Sequence, residues 1–173
     1  SDLETPKREL IENKSMRIDV DLINAFLEAT AVVLKKQTGI VAKAGSPAAR
    51  DPDAPLDGDI SGVIPLHTES LMGLVVITFP DATYLKVISQ MLGEGHEAIT
   101  SENQDGVSEL TNIIFGNAKR VLTEKGHSIK MALPTVVIGK EPADLPNATG
   151  PRIVIPFESD AGLFSLEIRV QAI

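Results

Sequence analysis

The fold of this 173-residue chain is most clearly indicated by the run Val63-Ile-Pro-Leu-His-Thr-Glu-Ser-Leu-Met-Gly-Leu-Val-Val-Ile-Thr-Phe79. Its two apolar segments, 63–67 and 73–79, flank a short polar turn, which is the pattern of a β-hairpin. A similar run, Arg152-Ile-Val-Ile-Pro-Phe157, lies near the end of the sequence, before a Glu-Ser-Asp-Ala-Gly turn and the alternating segment 164–170. The sequence therefore predicts two related hairpins.

A long helix, a glycine, a strand and a loop precede each predicted hairpin. Apolar residues recur at helical spacing from Asp19 to Gln37, before Gly39, and again from about Glu102 to Lys125, before Gly126. Superposing the two glycines aligns the halves at a spacing of 87 residues. The duplication predicts an α+β fold: a pseudo-twofold repeat of a helix plus three strands, with an antiparallel sheet flanked by long helices.

Shorter signals complete the predicted order of elements. Pro80-Asp81 starts a further helix that reaches about Leu92, and Ser101 and Gln104 are spaced as a capping box for the long second-half helix. The remaining segments are two strands and two loops: an extended run over 40–44, a long exposed loop over 45–62, a strand over 129–139 interrupted by Pro134, and a Pro/Gly-rich loop over 141–151. The alternation over 164–170 predicts a strand with one buried face.

The chain has the length of one domain. Residues 1–15 are polar, contain Pro6 and precede Met16. We therefore expect a flexible N-terminal tail or a remnant of cloning over residues 1–15, followed by a single domain over residues 16–173.

The composition argues against several classes of function. A formal charge of -8 and a pI near 4.9 oppose binding to a phosphate backbone, and 3% aromatic residues leave little for base stacking. The absence of cysteine excludes disulfides, thiolate catalysis and cysteine-ligated metals. The three histidines lack metal-ligand spacing, and the apolar stretch around 71–79 is too short to cross a bilayer. We expect a cytoplasmic protein that binds no metal, nucleic acid or membrane.

A polar pair stands out on the long second-half helix. At 100° per residue, Asp105, Glu109, Asn112 and Gly116 fall on one face, opposite the apolar residues. Asparagine prefers caps and turns to a helix interior, and a mid-helix glycine costs roughly 1 kcal/mol relative to alanine. One interpretation is a functional site at which a partner approaches the backbone beside Gly116. The other is an ordinary solvated face, because a Glu-x-x-Asn spacing also arises by chance.

The sequence around this pair resembles that of the CheC/CheX/FliY family of phosphatases, most closely its CheX branch. The resemblance covers nearly everything from Met16 to the C-terminus. Its motifs are Asp105-x-x-x-Glu109-x-x-Asn112, Gly116-Asn117-Ala118-Lys119, Gly126, Leu133-Pro134-Thr135, Gly58-Asp59-Ile60-Ser61-Gly62-Val63-Ile64, Thr78-Phe79-Pro80 and Met91-Leu92-Gly93.

The resemblance implies a CheC-like fold and a phosphatase that acts on phosphorylated CheY-like response regulators. It implies that Asn112 positions the attacking water and that Glu109 pairs with a lysine of the regulator, with an indirect role for Asp105. The Mg²⁺ of the reaction would be supplied by the regulator, and this chain would bind no cofactor. Members with one Glu/Asn pair fit this sequence, because the 87-residue spacing puts Leu22 and Ala25 in the corresponding places.

The resemblance also implies a homodimer formed partly through sheet continuation, for which we expect the strand over 164–170 to supply an edge. Two noncatalytic functions remain as alternatives. The related middle domain of the flagellar switch protein FliM is structural, and an adaptor could bind a regulator through the same helix face without hydrolysing its phosphate.

Overall fold

One antiparallel sheet contains all eight strands of the described part of the chain. The structure is a computed structural model that describes residues 4–142, 145 and 150–173, and only the backbone over residues 4–19. The helices are α1 (Glu4–Thr38), α2 (Asp81–Leu92) and α3 (Asp105–Glu124). The strands are β1 (Ala42–Ala44), β2 (Ala48–Arg50), β3 (Ile60–His67), β4 (Leu71–Phe79), β5 (Lys130–Met131), β6 (Thr135–Ile138), β7 (Arg152–Ser159) and β8 (Gly162–Ala172).

The strand order confirms the pseudo-twofold repeat, with four strands in each half where three were predicted, because β2 was not expected and the strand over 129–139 is divided into β5 and β6. Along the sheet the order is β1-β7-β8-β4-β3-β5, with β2 also paired to β7 and β6 also paired to β3. The two hairpins, β3–β4 and β7–β8, meet at the centre, where Val75 pairs with Ile168. The outer strands of each half flank the hairpin of the other half. The α+β fold with an antiparallel sheet was therefore predicted correctly.

All three helices contribute to a core on one face of the sheet. The α1 and α3 helices pack against each other through Phe26 and Phe115, whose ring centroids are 4.8 Å apart. The opposite face has a smaller core, formed by Leu56, Val63, Leu74, Val76, Val137 and Leu145. Within the described residues, no helix is long and apolar enough to span a membrane.

The first helix is longer than the sequence pattern predicted. Its predicted start was Asp19, whereas α1 begins at Glu4. Residues 4–15 of the expected flexible tail therefore have helical backbone, and residues 1–3 lie outside the described part of the chain. The division into a tail and a domain over residues 16–173 stays a prediction.

The segment 45–62 is not the simple exposed loop that its composition predicted. It contains β2, and its last residues begin β3. Arg152 Nη1 donates to the carbonyl oxygens of Asp51 and Ala54, both at 2.6 Å, and Leu56 is buried. The segment therefore covers the face of the sheet opposite the helices.

The prediction that 164–170 supplies a sheet edge was wrong. Strand β8 pairs with β7 on one side and with β4 on the other, so its backbone groups are already bonded. Its polar side is also buried: Ser165, Glu167 and Arg169 are at most 5% exposed. The alternation that indicated one buried face marks a central strand whose charged side chains lie beneath a loop.

The capping box also lies elsewhere. Helix α3 begins at Asp105, and Gln104 makes no side-chain cap bond. In the preceding turn, Asn103 Oδ1 accepts from the Thr100 backbone N–H at 2.8 Å, and Thr100 Oγ1 accepts from the Asn103 N–H at 3.2 Å. This reciprocal pair, one residue earlier than predicted, fixes the approach to α3.

Candidate functional site

Helix α3 presents its polar residues to solvent. Asp105, Glu109, Asn112 and Gly116 are all exposed. The residues on its other side, including Leu110 and Ile114, are buried in the core. The carboxylate and the amide predicted from the sequence are therefore side by side on an open surface, one helical turn apart.

Close packing fixes where α3 lies on the sheet. A Cβ added to Gly62 of β3 would collide with Thr111 Oγ1, and one added to Gly106 would collide with the Ile88 side chain of α2. Thr111 Oγ1 donates to the Val107 carbonyl oxygen within its own helix. Two glycines thus allow the helix to approach both of its neighbours closely, and the polar pair is held by a packed scaffold.

A buried tyrosine secures the start of the same helix. The Tyr84 hydroxyl of α2 donates to the Asn103 carbonyl oxygen at 2.5 Å. Burial disfavours the phenolate and raises the pKa of Tyr84 to about 12, so this hydroxyl stays protonated and can donate throughout the physiological range. The turn that leads into α3 is therefore anchored to α2.

A salt bridge joins the far end of α3 to α1. His127 Nε2 lies 2.7 Å from Asp21 Oδ2, and Lys125 Nζ lies 3.5 Å from Asp21 Oδ1. The hydrogen bond from His127 is the largest influence holding the pKa of Asp21 below its ordinary value. The helix is thus tied down at both ends, which keeps its outer face in a fixed position.

The polar pair borders a cleft of ≈ 670 Å³ between α3 and the segment that joins β5 to β6. The lining residues are Asp105, Ser108, Glu109, Asn112, Leu133, Pro134, Thr135 and Val136. One wall is polar and helical, and the other is largely apolar. The sequence did not predict that residues 133–136 face the pair, because this proximity depends on β6 pairing with β3.

Gly116 lies on the same helix face but does not line the cleft. A Cβ added there would meet no atom within 4 Å. Internal packing therefore does not require a glycine at this position, in contrast to Gly62 and Gly106. Of the predicted site residues, the structure brings Asp105, Glu109 and Asn112 together around the cleft and leaves Gly116 at its periphery.

The corresponding surface of α1 differs from what the sequence spacing implied. Leu22 and Ala25 are 1% and 2% exposed and belong to the core. They cannot be surface counterparts of Glu109 and Asn112. The neighbouring positions Asp21 and Asn24 are the ones that reach the surface, and Asp21 is already paired with His127 and Lys125.

The polar groups lining the cleft are two carboxylates, Asp105 and Glu109, the Asn112 amide and the hydroxyls of Ser108 and Thr135. Among the described residues, no group of three His, Asp or Glu side chains is placed to hold a metal ion. The Asn112 amide can donate to and accept from a water molecule, and the Glu109 carboxylate can accept from a cation. Such a surface can orient a water molecule and bind a cationic group.

The fold and the sequence match known proteins over most of the chain. A CheC-like superfamily protein from Shewanella sp. PV-4 is 38% identical, with a TM-score of 0.77 over 88% of this chain and 98% of the other. The chemotaxis protein CheX from Vibrio vulnificus is 34% identical, with a TM-score of 0.76 over 87% of this chain and 99% of the other. The chain therefore has the fold of the CheC-like superfamily.

The sequence identifies the family to which the chain belongs within this superfamily. The family model described as chemotaxis phosphatase CheX matches residues 60–158, and the chain belongs to the CheX family. A structure of a CheX-CheY-BeF3-Mg²⁺ complex from Borrelia burgdorferi shares the fold, with 24% identity and a TM-score of 0.67 over 86% of this chain and 97% of the other. A search of curated proteins found no match.

Proposed function

We propose that this chain is a phosphatase that hydrolyses the aspartyl phosphate of a CheY-like response regulator. The observation that carries the proposal is the exposed Glu109 and Asn112 pair at a cleft, in a chain of the CheX family. A cytoplasmic location, where such regulators would be met, remains part of the proposal.

Hydrolysis of an acyl phosphate mainly requires a correctly placed water. The water attacks phosphorus opposite the aspartyl oxygen, the P–O bond to that oxygen breaks, and the carboxylate and inorganic phosphate are released. The Asn112 side chain can hold this water by accepting from it and donating to it, and it needs no proton of its own. We therefore assign Asn112 to water positioning.

Glu109 is suited to docking. It lies one helical turn before Asn112 and is exposed, so its carboxylate is available to a cation of the partner. We propose that it binds the lysine of the regulator's own phosphorylation site and so fixes the register of the two proteins. Asp105, on the same wall of the cleft, contributes indirectly, and Gly116 leaves space for the partner at the periphery. The regulator supplies the Mg²⁺.

The comparisons support this proposal at the level of the partner. The Borrelia burgdorferi relative is a CheX protein in complex with CheY, BeF3 and Mg²⁺. The family model carries the description of a chemotaxis phosphatase. The complex supports a CheY-like receiver domain as the partner of this chain, and the family description supports phosphatase activity. We propose that the receiver covers the cleft.

The test is to incubate the protein with a panel of receiver domains phosphorylated on aspartate and to follow the acid-labile phosphate. We expect at least one receiver to lose its phosphate faster in the presence of the protein. A noncatalytic adaptor or a FliM-like domain would bind a receiver without shortening the lifetime of its phosphate. Binding without hydrolysis across the panel would therefore contradict the phosphatase assignment.

Replacing Glu109 with lysine is expected to weaken both binding and turnover, because it sets two cations against each other at the interface. The loss of affinity should be about 2 kcal/mol or more, which is some 30-fold in Kd. Titration of the phosphorylated receiver with each variant gives the Kd. Glu28→Lys, which makes the same charge change at an exposed position on α1, is the matched control. Equal affinities of the two variants would exclude the docking role.

We expect a homodimer in solution, as the family resemblance implies. Because β8 is central, any continuation of the sheet must use the outer strands, β1 and β2 or β5 and β6. Light scattering coupled to size-exclusion chromatography gives the mass directly. A monomer at micromolar concentration would rule out this part of the proposal.

A further inference from the structure

Leu133, in the segment between β5 and β6, is 83% exposed beside the polar pair. Single exposed leucines are ordinary on protein surfaces, so exposure alone implies no function. The position is more informative. Leu133 lines the same cleft as Glu109 and Asn112, on the wall that faces α3.

The backbone on both sides of Leu133 is held by β3. Before it, the Ala132 N–H donates to the Pro65 carbonyl oxygen at 3.2 Å, and after it, Thr135 pairs with Val63. Pro134 fixes its own φ angle and restricts the conformation of Leu133. An apolar side chain presented from so short and anchored a segment loses little conformational entropy when a partner covers it.

The two walls of the cleft differ in chemistry. Leu133, Pro134 and Val136 form an apolar wall opposite the carboxylate and amide of α3. Glu109 and Asn112 are neighbours on one helix, roughly 5–6 Å apart at their Cβ atoms. A protein that contacted only these two residues could still rotate about the axis that joins them. A third contact on the opposite wall fixes its position.

We propose that Leu133 is the apolar anchor on which the phosphorylated receiver domain seats, in contact with an apolar side chain of the receiver. The inference rests on the proposed function, because the receiver is the occupant. It adds a contact that strengthens binding of the receiver, apart from the residue that positions the water.

The test compares Leu133→Ser with Leu163→Ser. Leu163 is also a largely exposed leucine, but it is the second residue of β8, its carbonyl oxygen accepts from Thr83 of α2, and it does not line the cleft. With a receiver that wild-type protein dephosphorylates, Leu133→Ser should raise KM roughly tenfold while kcat changes little, the pattern of lost uniform binding. Leu133→Met should restore most of the affinity, and Leu163→Ser should match wild type.

A KM for Leu133→Ser equal to that of Leu163→Ser would overturn the anchor while leaving wild-type turnover, and hence the proposed function, intact. If wild-type protein binds a phosphorylated receiver without hydrolysing it, the phosphatase assignment fails. The Kd values of the same three variants then show whether Leu133 anchors the receiver. If wild-type protein binds no receiver in the panel, both proposals are overturned. Because Leu133 is so exposed, circular dichroism should show the same fold in every variant.

Discussion

Replacing Asn112 with alanine is expected to slow dephosphorylation of the receiver by about 100-fold or more, the scale of loss when a reacting group is misplaced. The methyl group of alanine can neither accept from nor donate to the attacking water. Asn112 is exposed and supports no part of the core, so the free energy of unfolding should change little. Affinity for the receiver should also be retained, because Glu109 and the apolar wall remain.

Single-turnover decay of phosphorylated receiver at saturating protein measures this effect apart from binding. Gln90→Ala is a suitable control, because it removes an exposed amide from α2 without altering the cleft. Gln90→Ala should dephosphorylate the receiver at the wild-type rate. If Asn112→Ala weakened only the affinity and kept its maximal rate, Asn112 would be a binding residue and the water would be positioned by another group.

The second large effect concerns stability. Glu167→Ala is expected to destabilise the protein by about 3–5 kcal/mol, a large part of the 5–15 kcal/mol typical of a domain. Glu167 Oε1 accepts from Arg152 Nη2 at 2.7 Å, and Oε2 accepts from Arg169 Nε at 2.6 Å. All three side chains are almost fully buried. Without the carboxylate, two buried guanidinium groups would lose the one carboxylate that both of them bond.

Chemical denaturation compares this variant with Glu158→Ala, an exposed carboxylate on the neighbouring strand β7. Glu158→Ala should unfold close to the wild-type midpoint. Glu167→Gln keeps the shape of the side chain and one acceptor, so its denaturation midpoint should lie between those of the two alanine variants. This variant can still be measured if Glu167→Ala does not fold. Similar midpoints for Glu167→Ala and Glu158→Ala would mean that the buried ion pairs contribute little.

Local patterns predicted the elements of this fold well. The hairpins, α2 and the end of each long helix before a glycine follow from periodicity and turn residues, which are properties of neighbouring positions. Strand pairing between the halves is not local. Nothing in the sequence around β1 or β5 indicates that each pairs with a strand of the other half.

The errors on β8 have the same origin. Alternation with serine, glutamate and arginine is typical of a strand with one buried face, which was the prediction for 164–170, yet Glu167 and Arg169 on the polar side are buried as well. Their burial depends on the segment 51–58, which Arg152 holds over the sheet through backbone carbonyl oxygens. A loop rich in proline and aspartate gave no indication that it covers charged side chains.

The candidate site was only half visible in the sequence. Glu109 and Asn112 could be identified because helical spacing puts them on one face and the surrounding motifs resemble a known family. The motif Leu133-Pro134-Thr135 was also visible in the sequence, but its place opposite the pair was not, because Leu133 reaches the pair only through the pairing of β6 with β3. An exposed leucine after a short strand is, by itself, an unremarkable loop residue.

We expect this chain to accelerate hydrolysis of a receiver's aspartyl phosphate through Asn112. The test is the lifetime of that phosphate on the receiver by itself, on the receiver with saturating wild-type protein, and on the receiver with saturating Asn112→Ala. We predict a shorter lifetime with wild-type protein and a lifetime close to that of the receiver alone with Asn112→Ala. A lifetime that wild-type protein leaves unchanged, or that both proteins shorten equally, would contradict the claim.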